Sequence, residues 1–424
     1  MTDDHPAVAL SEAVADRLAR PDAVPEPLTA QPWWRQSLAH GALGITLLHI
    51  ERAAAGLAPW QRAHDWLTYA ADAPFTAGAG SHMFHGAPAL AHVLSCAATA
   101  RPGSYEKALE SLDKVITADA RRRACSAQAR ITAGRLPALA EFDVIRGLSG
   151  VGSYLLRRDP DGEVVRAVLE YLVRLTEPLK VNDETLPGWW TSSNPSGRYS
   201  DRFAGGHGNC GMAHGIGGPL ALLALAAQRG VTVPGHRDAI DRICAWLDQW
   251  RTDTGTGPLW PYWVNRSQLR TGHHTSGGPQ RPAWCYGAIG LARAQQLAAL
   301  ATGDADRRHL AENALVQALT DPANLNAVTD ASLCHGHVGI AHIVTVAATD
   351  ATPQAAARLC ALVPALLDTV QPPGTDPEHT AAALCDGGGG PAFLEGAAGI
   401  ALAALAPSTH APPRSGWDTC LLIA

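Results

Sequence analysis

The sequence predicts an all-α protein, an α,α-toroid of seven helical hairpins spanning residues 1–424 as a single domain. Three observations predict it: a glycine turn that recurs seven times, amphipathic stretches between the copies with no segment alternating as a strand, and a last copy as apolar as the middle ones.

The turn reads Gly, two residues, then usually Gly, followed by an apolar run. Its copies are HGALGITLL from His40, HGAPALAHVL from His85, RGLSGVGSYLL from Arg146, HGIGGPLALLAL from His214, YGAIGLARAQQL from Tyr286, HGHVGIAHIV from His335 and EGAAGIALAAL from Glu395. Only the second copy replaces the second glycine, with Ala89. A glycine pair at a helix start frees the chain from the usual φ restriction and lets neighbouring elements approach closely. Between the copies lie Ser104 to Arg130, Val164 to Glu177, His236 to Gln249, Arg307 to Leu319 and Pro353 to Leu367, each with helical periodicity. An open solenoid needs polar terminal repeats, and this chain has none at its end, so closure into a ring is expected. The ring would have apolar inner helices and its seven glycine turns at one end. Two stretches break the helical pattern, Asn182 to Phe203 and Arg251 to Pro282, both rich in Gly, Pro, Ser, Thr and Trp. Loops of that length are usually functional or disordered, and their place just ahead of chemically loaded repeats favours function.

With 33 Lys plus Arg against 39 Asp plus Glu, the formal net charge is −6, which argues against adhesion to nucleic acid or to anionic membrane. The N-terminus MTDDHPAVALSEAV lacks the basic region of a secretory signal, and apolar stretches such as Leu220 to Ala227 are far shorter than the ~20 residues of a membrane span. A cytoplasmic protein is expected. Its nine cysteines include no close CxxC pair, so reduced thiols are expected, with Cys96, Cys125, Cys244 and Cys360 read as small buried hydrophobes.

If the turns cluster, residues beside them converge. Cys285 stands two positions before Gly287, and Cys334 and His335 stand immediately before Gly336. Two thiolates and an imidazole suit zinc and leave a fourth position open, which is the catalytic pattern. Spacing alone does not separate this from two buried cysteines; the equal offset of Cys285 and Cys334 from their glycines favours the metal. His214, Arg146 and Tyr286 occupy the slot just before a first glycine, Asp143 lies three residues before Arg146, and Arg281 lies four before Cys285. His40 and His85 occupy the same slot and read as hydrogen-bonding residues at helix starts. His273 and His274 read as a solvated loop pair, His207 and Cys210 as shaping the turn before His214, and Trp33, Trp34, Trp189, Trp190 and Trp284 as packing residues.

The segments GNCGMAHGIGGPLALLALA from Gly208, RPAWCYGAIGLARA from Arg281, LCHGHVGIAH from Leu333 and FLEGAAGIALAAL from Phe393, with the closing WDTCLLIA from Trp417, closely resemble the LanC family, the lanthionine-forming cyclases of lantibiotic biosynthesis. The resemblance runs through all seven repeats. It implies one zinc ion per chain on Cys285, Cys334 and His335, and active-site roles for Asp143, His214, Arg281 and Tyr286. It further implies a dehydrated precursor peptide as substrate. A dehydratase and a transporter are candidate partners, with a peripheral place at the membrane within such a complex.

The implied chemistry accounts for the residue set. A free cysteine thiol is mostly protonated at neutral pH, and zinc coordination deprotonates it. The thiolate adds to the β-carbon of dehydroalanine or dehydrobutyrine, giving an enolate. Arg281 is suited to stabilise that charge, His214 oriented by Asp143 to protonate the α-carbon, and Tyr286 to assist proton transfer or positioning. Two other classes fit the residues less well. A glycoside hydrolase on a helical toroid needs paired carboxylates, and only Asp143 with Glu395 or Asp386 lies near turn ends. A non-catalytic thiol- or peptide-binding member of the family would not need both His214 and Arg281.

Overall fold

The computed structural model describes residues 6–181, 183–255, 257–274, 278–409 and 411–424; Asn182 and residues 256 and 275–277, which belong to the two irregular stretches, lie outside them. Each glycine turn opens a helix: α1 (Ala42–Ala54), α2 (Ala87–Ala100), α3 (Leu148–Arg158), α4 (Gly217–Gln228), α5 (Ala288–Thr302), α6 (His337–Thr349) and α7 (Ala397–Thr409). These helices are mostly buried; α7 is apolar all round and buries every residue from Ala397 to Ser408. The amphipathic stretches form helices Glu106–Thr132, Glu163–Leu175, His236–Trp250, Ala305–Thr320 and Pro353–Val370. His236–Trp250 buries one stripe, Ala239, Ile240, Ile243, Cys244, Trp246, Leu247 and Trp250, at the spacing of a single helical face. No described helix is long and apolar enough to cross a membrane.

Contacts group the chain into two compact units, Met1–Ile116 with Val328–Asp418, and Thr117–Ala327 with Thr419–Ala424. In the first, α1 packs on both α2 and α7, and α7 packs on α6, so the last repeat returns to the first. The N-terminal helix Ala7–Arg17 packs along α7. The closing residues are held in place by buried polar groups. Glu51 accepts the backbone N–H groups of Arg414 and Ser415 at 2.7 and 2.9 Å, and His342 stacks on Trp417 and pairs with Asp418 at 3.1 Å. In the second unit α3, α4 and α5 stand in sequence, with α4 against both neighbours. There the final residues are anchored by Trp284 Nε1 and Arg293 Nε, which donate to the carbonyls of Leu421 and Ile423.

Successive turns are joined by backbone hydrogen bonds at fixed offsets. In the first unit Leu38 N–H donates to Phe84 O, Phe393 and Leu394 N–H to Ala39 O, and Cys334 N–H to Leu394 O. In the second, Val144 N–H donates to Ala213 O, and Met212 and Ala213 N–H to Cys285 O. Every acceptor is the residue two before a first glycine. The glycines are there chiefly for space. A Cβ on Gly290, Gly339 or Gly399 would lie 2.1, 2.0 or 1.6 Å from a backbone carbonyl oxygen six residues earlier. Positive φ is required only at Gly86 and Gly287 among the first glycines, at 74° and 129°; at Gly41, Gly147 and Gly336 the backbone is extended, so the expected release from φ restriction is not their reason.

The irregular stretches and their flanks are not without strands. Leu179–Val181 pairs with Glu184–Leu186, Thr252–Thr254 with Gly257–Leu259, and β1 (His207–Asn209) with β2 (Trp263–Asn265), all antiparallel. Three-residue strands are too short to show alternation in sequence. No disulfide joins any of the cysteines; Cys125 on helix Glu106–Thr132 and Cys360 on helix Pro353–Val370, read as buried hydrophobes, are instead exposed. Of Trp33, Trp34, Trp189, Trp190 and Trp284, read as packing residues, only Trp33 is exposed.

Candidate functional site

The turn before α3 is shaped by Asp143. Its Oδ1 accepts the backbone N–H groups of Arg146 and Gly147, both at 2.7 Å, a local side-chain to backbone closure that fixes the carboxylate. Its Oδ2 lies 2.7 Å from Nδ1 of His214. Asp143 is 2% exposed and His214 35%, so a buried acceptor orients a ring whose other nitrogen faces outward from the pair. Arg146 is exposed and joins this arrangement only through its backbone N–H.

The His214 turn is tied to the next one. The N–H groups of Met212 and Ala213 both donate to the Cys285 carbonyl, and a Cβ on Gly211 would meet the Tyr286 ring at 2.6 Å. Tyr286 lies with its ring 6.4 Å from His214, 5.6 Å from Tyr262 and 6.2 Å from Trp263. Burial pushes its hydroxyl well above the ordinary tyrosine range, against the hydrogen bond from Asn209, so it is a neutral phenol. Arg281 is half-buried beside Tyr262, whose hydroxyl its backbone and charge pull down against the larger effect of burial.

Cys285 is 8% exposed; Cys334 is half-buried, with its N–H on the Leu394 carbonyl. His335 Nε2 lies 3.2 Å from Asp330 Oδ2, while Asp330 Oδ1 accepts the Ser332 N–H and Ser332 Oγ accepts the His335 N–H. Burial opposes ionisation of Asp330, yet the hydrogen bonds from His335 and Ser332 hold it well below the usual carboxylate range. Among the described residues Cys285, Cys334 and His335 form a possible metal-binding group, their ligand atoms all within 4.8 Å of one another. The donors also fit in kind: two soft thiols, and an imidazole whose second nitrogen meets a carboxylate, as zinc-bound histidines do.

Asp330 and Asn209, which joins Tyr286, were not picked out from the sequence, although GNCGMAHG contains the asparagine. His207 and Cys210 are buried: burial lowers the imidazole to about 4 and pushes the thiol up to about 12. His274 contacts Gln268 at 2.9 Å and, among the described residues, belongs to no possible metal group.

Residues 32–422 match the family described as lanthionine synthetase C-like protein. The chain is 26% identical over 210 residues to the nisin biosynthesis protein NisC of Lactococcus lactis subsp. lactis. That match spans about half the length of either protein, 49% of each. In three dimensions the chain is similar to a solved nisin cyclase, with a TM-score of 0.79 over 98% of both chains at 20% identity. The likeness shows the fold to be the all-α toroid that the repeats predict. On the match to nearly its whole length, the chain belongs to the lanthionine synthetase C-like family.

Proposed function

We propose that the protein is a zinc-dependent lanthipeptide cyclase. It would join cysteine thiols of a dehydrated precursor peptide to dehydroalanine or dehydrobutyrine within the same peptide, forming thioether rings. The observation that carries the reading is the meeting of two kinds of site: the soft Cys285, Cys334 and His335 donor group, and a buried Asp143–His214 pair whose turn is hydrogen-bonded to the Cys285 backbone.

Bound by Cys285, Cys334 and His335, zinc would supply a Lewis acid able to hold a substrate thiol as its thiolate at neutral pH. The thiolates of Cys285 and Cys334 would offset the charge of such an ion. His214, held through Nδ1 by Asp143, presents Nε2 as the acid that delivers a proton to the α-carbon. Arg281, half-buried beside Tyr262, is assigned to the negative charge that develops on the carbonyl oxygen. The bookkeeping of atoms closes without a redox partner: an S–H bond and a C=C π bond are lost, and S–Cβ and Cα–H bonds form. Product and dehydrated substrate therefore have equal mass.

The test is cyclisation of a dehydrated precursor peptide by the zinc-loaded protein, followed by alkylation of remaining thiols and mass spectrometry. Thiols should become resistant to alkylation faster than in an enzyme-free control, with a single stereochemical outcome. Loss of thiols at the control rate overturns the assignment and leaves a peptide-binding member of the family.

A further inference from the structure

Behind Tyr286 lies a run of buried polar groups that the proposed reaction leaves unused. Asn209 and His207 are both 0% exposed, on β1, where pairing of His207 with Asn265 and of Asn209 with Trp263 fixes their backbone. The Asn209 amide has one acceptor end and one donor end, and its surroundings choose which is which. Oδ1 accepts the Gly211 N–H at 3.0 Å; turned over, the amide would set two donors against each other. Nδ2 therefore points the other way, 2.9 Å from the Tyr286 hydroxyl oxygen and 3.4 Å from Nε2 of His207.

His207 gives the run a direction. Its Nδ1 is 2.8 Å from the Ser193 carbonyl oxygen, which only accepts, so Nδ1 carries the hydrogen and Nε2 presents a lone pair to Asn209. Burial lowers the imidazole to about 4 and keeps it neutral at physiological pH. Both Asn209 hydrogens are thus committed as donors. A phenol has one hydrogen. With an oxygen lone pair of Tyr286 occupied by Asn209, that hydrogen is left to donate elsewhere.

We propose that Asn209 is a positioning residue which, oriented by Gly211 and His207, holds Tyr286 as a hydrogen-bond donor to the carbonyl oxygen of the dehydro residue under attack. Tyr286 would then share the developing enolate charge with Arg281 and would not act as a base. The inference rests on the cyclase reading for its substrate, but the polarity of the run is independent of it.

Two measurements test it on the full-length, zinc-loaded protein. In the first, Asn209→Leu and Tyr286→Phe are made singly and together, with zinc content and melting temperature as folding controls. Asn209→Leu should lower kcat roughly 10- to 100-fold with little change in KM, the scale of one oxyanion donor weakened. In the Tyr286→Phe background it should cost less than about 2-fold more, because the group it acts through is gone. Independent, multiplying losses overturn the positioning role. The second measurement needs no peptide and survives failure of Asn209→Leu to fold: 15N NMR of histidine-labelled wild-type protein, with His207→Gln to assign the signal. A neutral Nδ1–H tautomer of His207 at pH 7 is expected; an Nε2–H tautomer or an imidazolium overturns the polarity. The expected tautomer in a protein that cyclises nothing overturns the cyclase reading, and with it the donor role of Tyr286.

Discussion

Asp143→Asn is the most discriminating single change, because the structure dictates how the new amide must sit. The two backbone N–H groups of Arg146 and Gly147, both 2.7 Å from Oδ1, demand an acceptor there, so the amide oxygen stays in place. Its nitrogen then faces His214 Nδ1, where the wild-type carboxylate accepts at 2.7 Å. A donor in that position forces Nδ1 to be the lone pair and Nε2 to carry the hydrogen. It also removes the negative charge that stabilises the protonated ring. A hydrogen bond to a charged group contributes about 1.5–3 kcal/mol, and at about 2.7 kcal/mol the rate falls roughly 10²-fold. Two charge-assisted backbone contacts become neutral ones as well, so a stability loss of about 1–2 kcal/mol is expected and the melting temperature must be followed in parallel. The assay is single-turnover thioether formation read by thiol alkylation, with zinc content measured on the same samples. Zinc should be retained. A folded, zinc-replete Asp143→Asn protein cyclising within 2-fold of the wild-type rate would refute the acid role of His214.

Metal analysis should find one zinc per chain in the wild-type protein and little in Cys285→Ala or Cys334→Ala, and Asp330→Asn should weaken zinc affinity roughly 10- to 100-fold by releasing His335 from its carboxylate. Stability should fall on acidification: His49 and His207 have folded values of about 4 against 6.5 unfolded, so their contribution is complete above pH 6.5 and is lost between there and pH 4. Each adds a slope of at most about 1.4 kcal/mol per pH unit, and urea titrations of His49→Gln at pH 7.5, 6 and 5 should show a shallower loss than wild type. Gly399→Ala, whose Cβ would lie 1.6 Å from the Phe393 carbonyl oxygen, should destabilise by at least about 3 kcal/mol, whereas Gly388→Ala, with open space around it, should leave the melting temperature unchanged.

The features legible in the sequence were those written locally and repeated. The glycine turns announced the helices they open, and the apolar or amphipathic character of each run announced whether it would be wholly or half buried. The equal offset of Cys285 and Cys334 from their glycines favoured a metal over two buried thiols, and the family resemblance implied the set with His335. What escaped was encoded by contact across the chain. The helix Ala7–Arg17 was not among the stretches read as helical, and nothing local in AVALSEAVADR says that it packs along α7, almost four hundred residues away. Asp330 and Asn209 were missed for a different reason: an Asp or Asn in a turn is ordinarily explained by its own backbone, as Oδ1 of each does explain it. Their second polar atoms reach His335 and Tyr286, and that use leaves no mark in the local pattern.

The links between turns explain how one scaffold carries different side chains in the same slot. They run through backbone only, from a donor N–H to the carbonyl two residues before a first glycine. The side chain at that acceptor position is Ala39, Phe84, Ile145 and Ala213 in the first four repeats, Cys285 and Cys334 in the next two, and Leu394 in the last. A carbonyl accepts in the same way whatever side chain it carries, so the ladder does not depend on cysteine. Alanine already stands at this position in two repeats, and Ala213 there is 2% exposed. Cys285→Ala therefore installs a residue that the turn already accommodates, and keeps the carbonyl that holds Met212 and Ala213. Its expected phenotype is a folded protein with the Asp143–His214 pair intact and the metal lost. Collapse of that pair in the alanine variant, seen as a changed His214 tautomer by 15N NMR, would mean that the thiol itself supports the neighbouring turn and that scaffold and chemistry are not separable here.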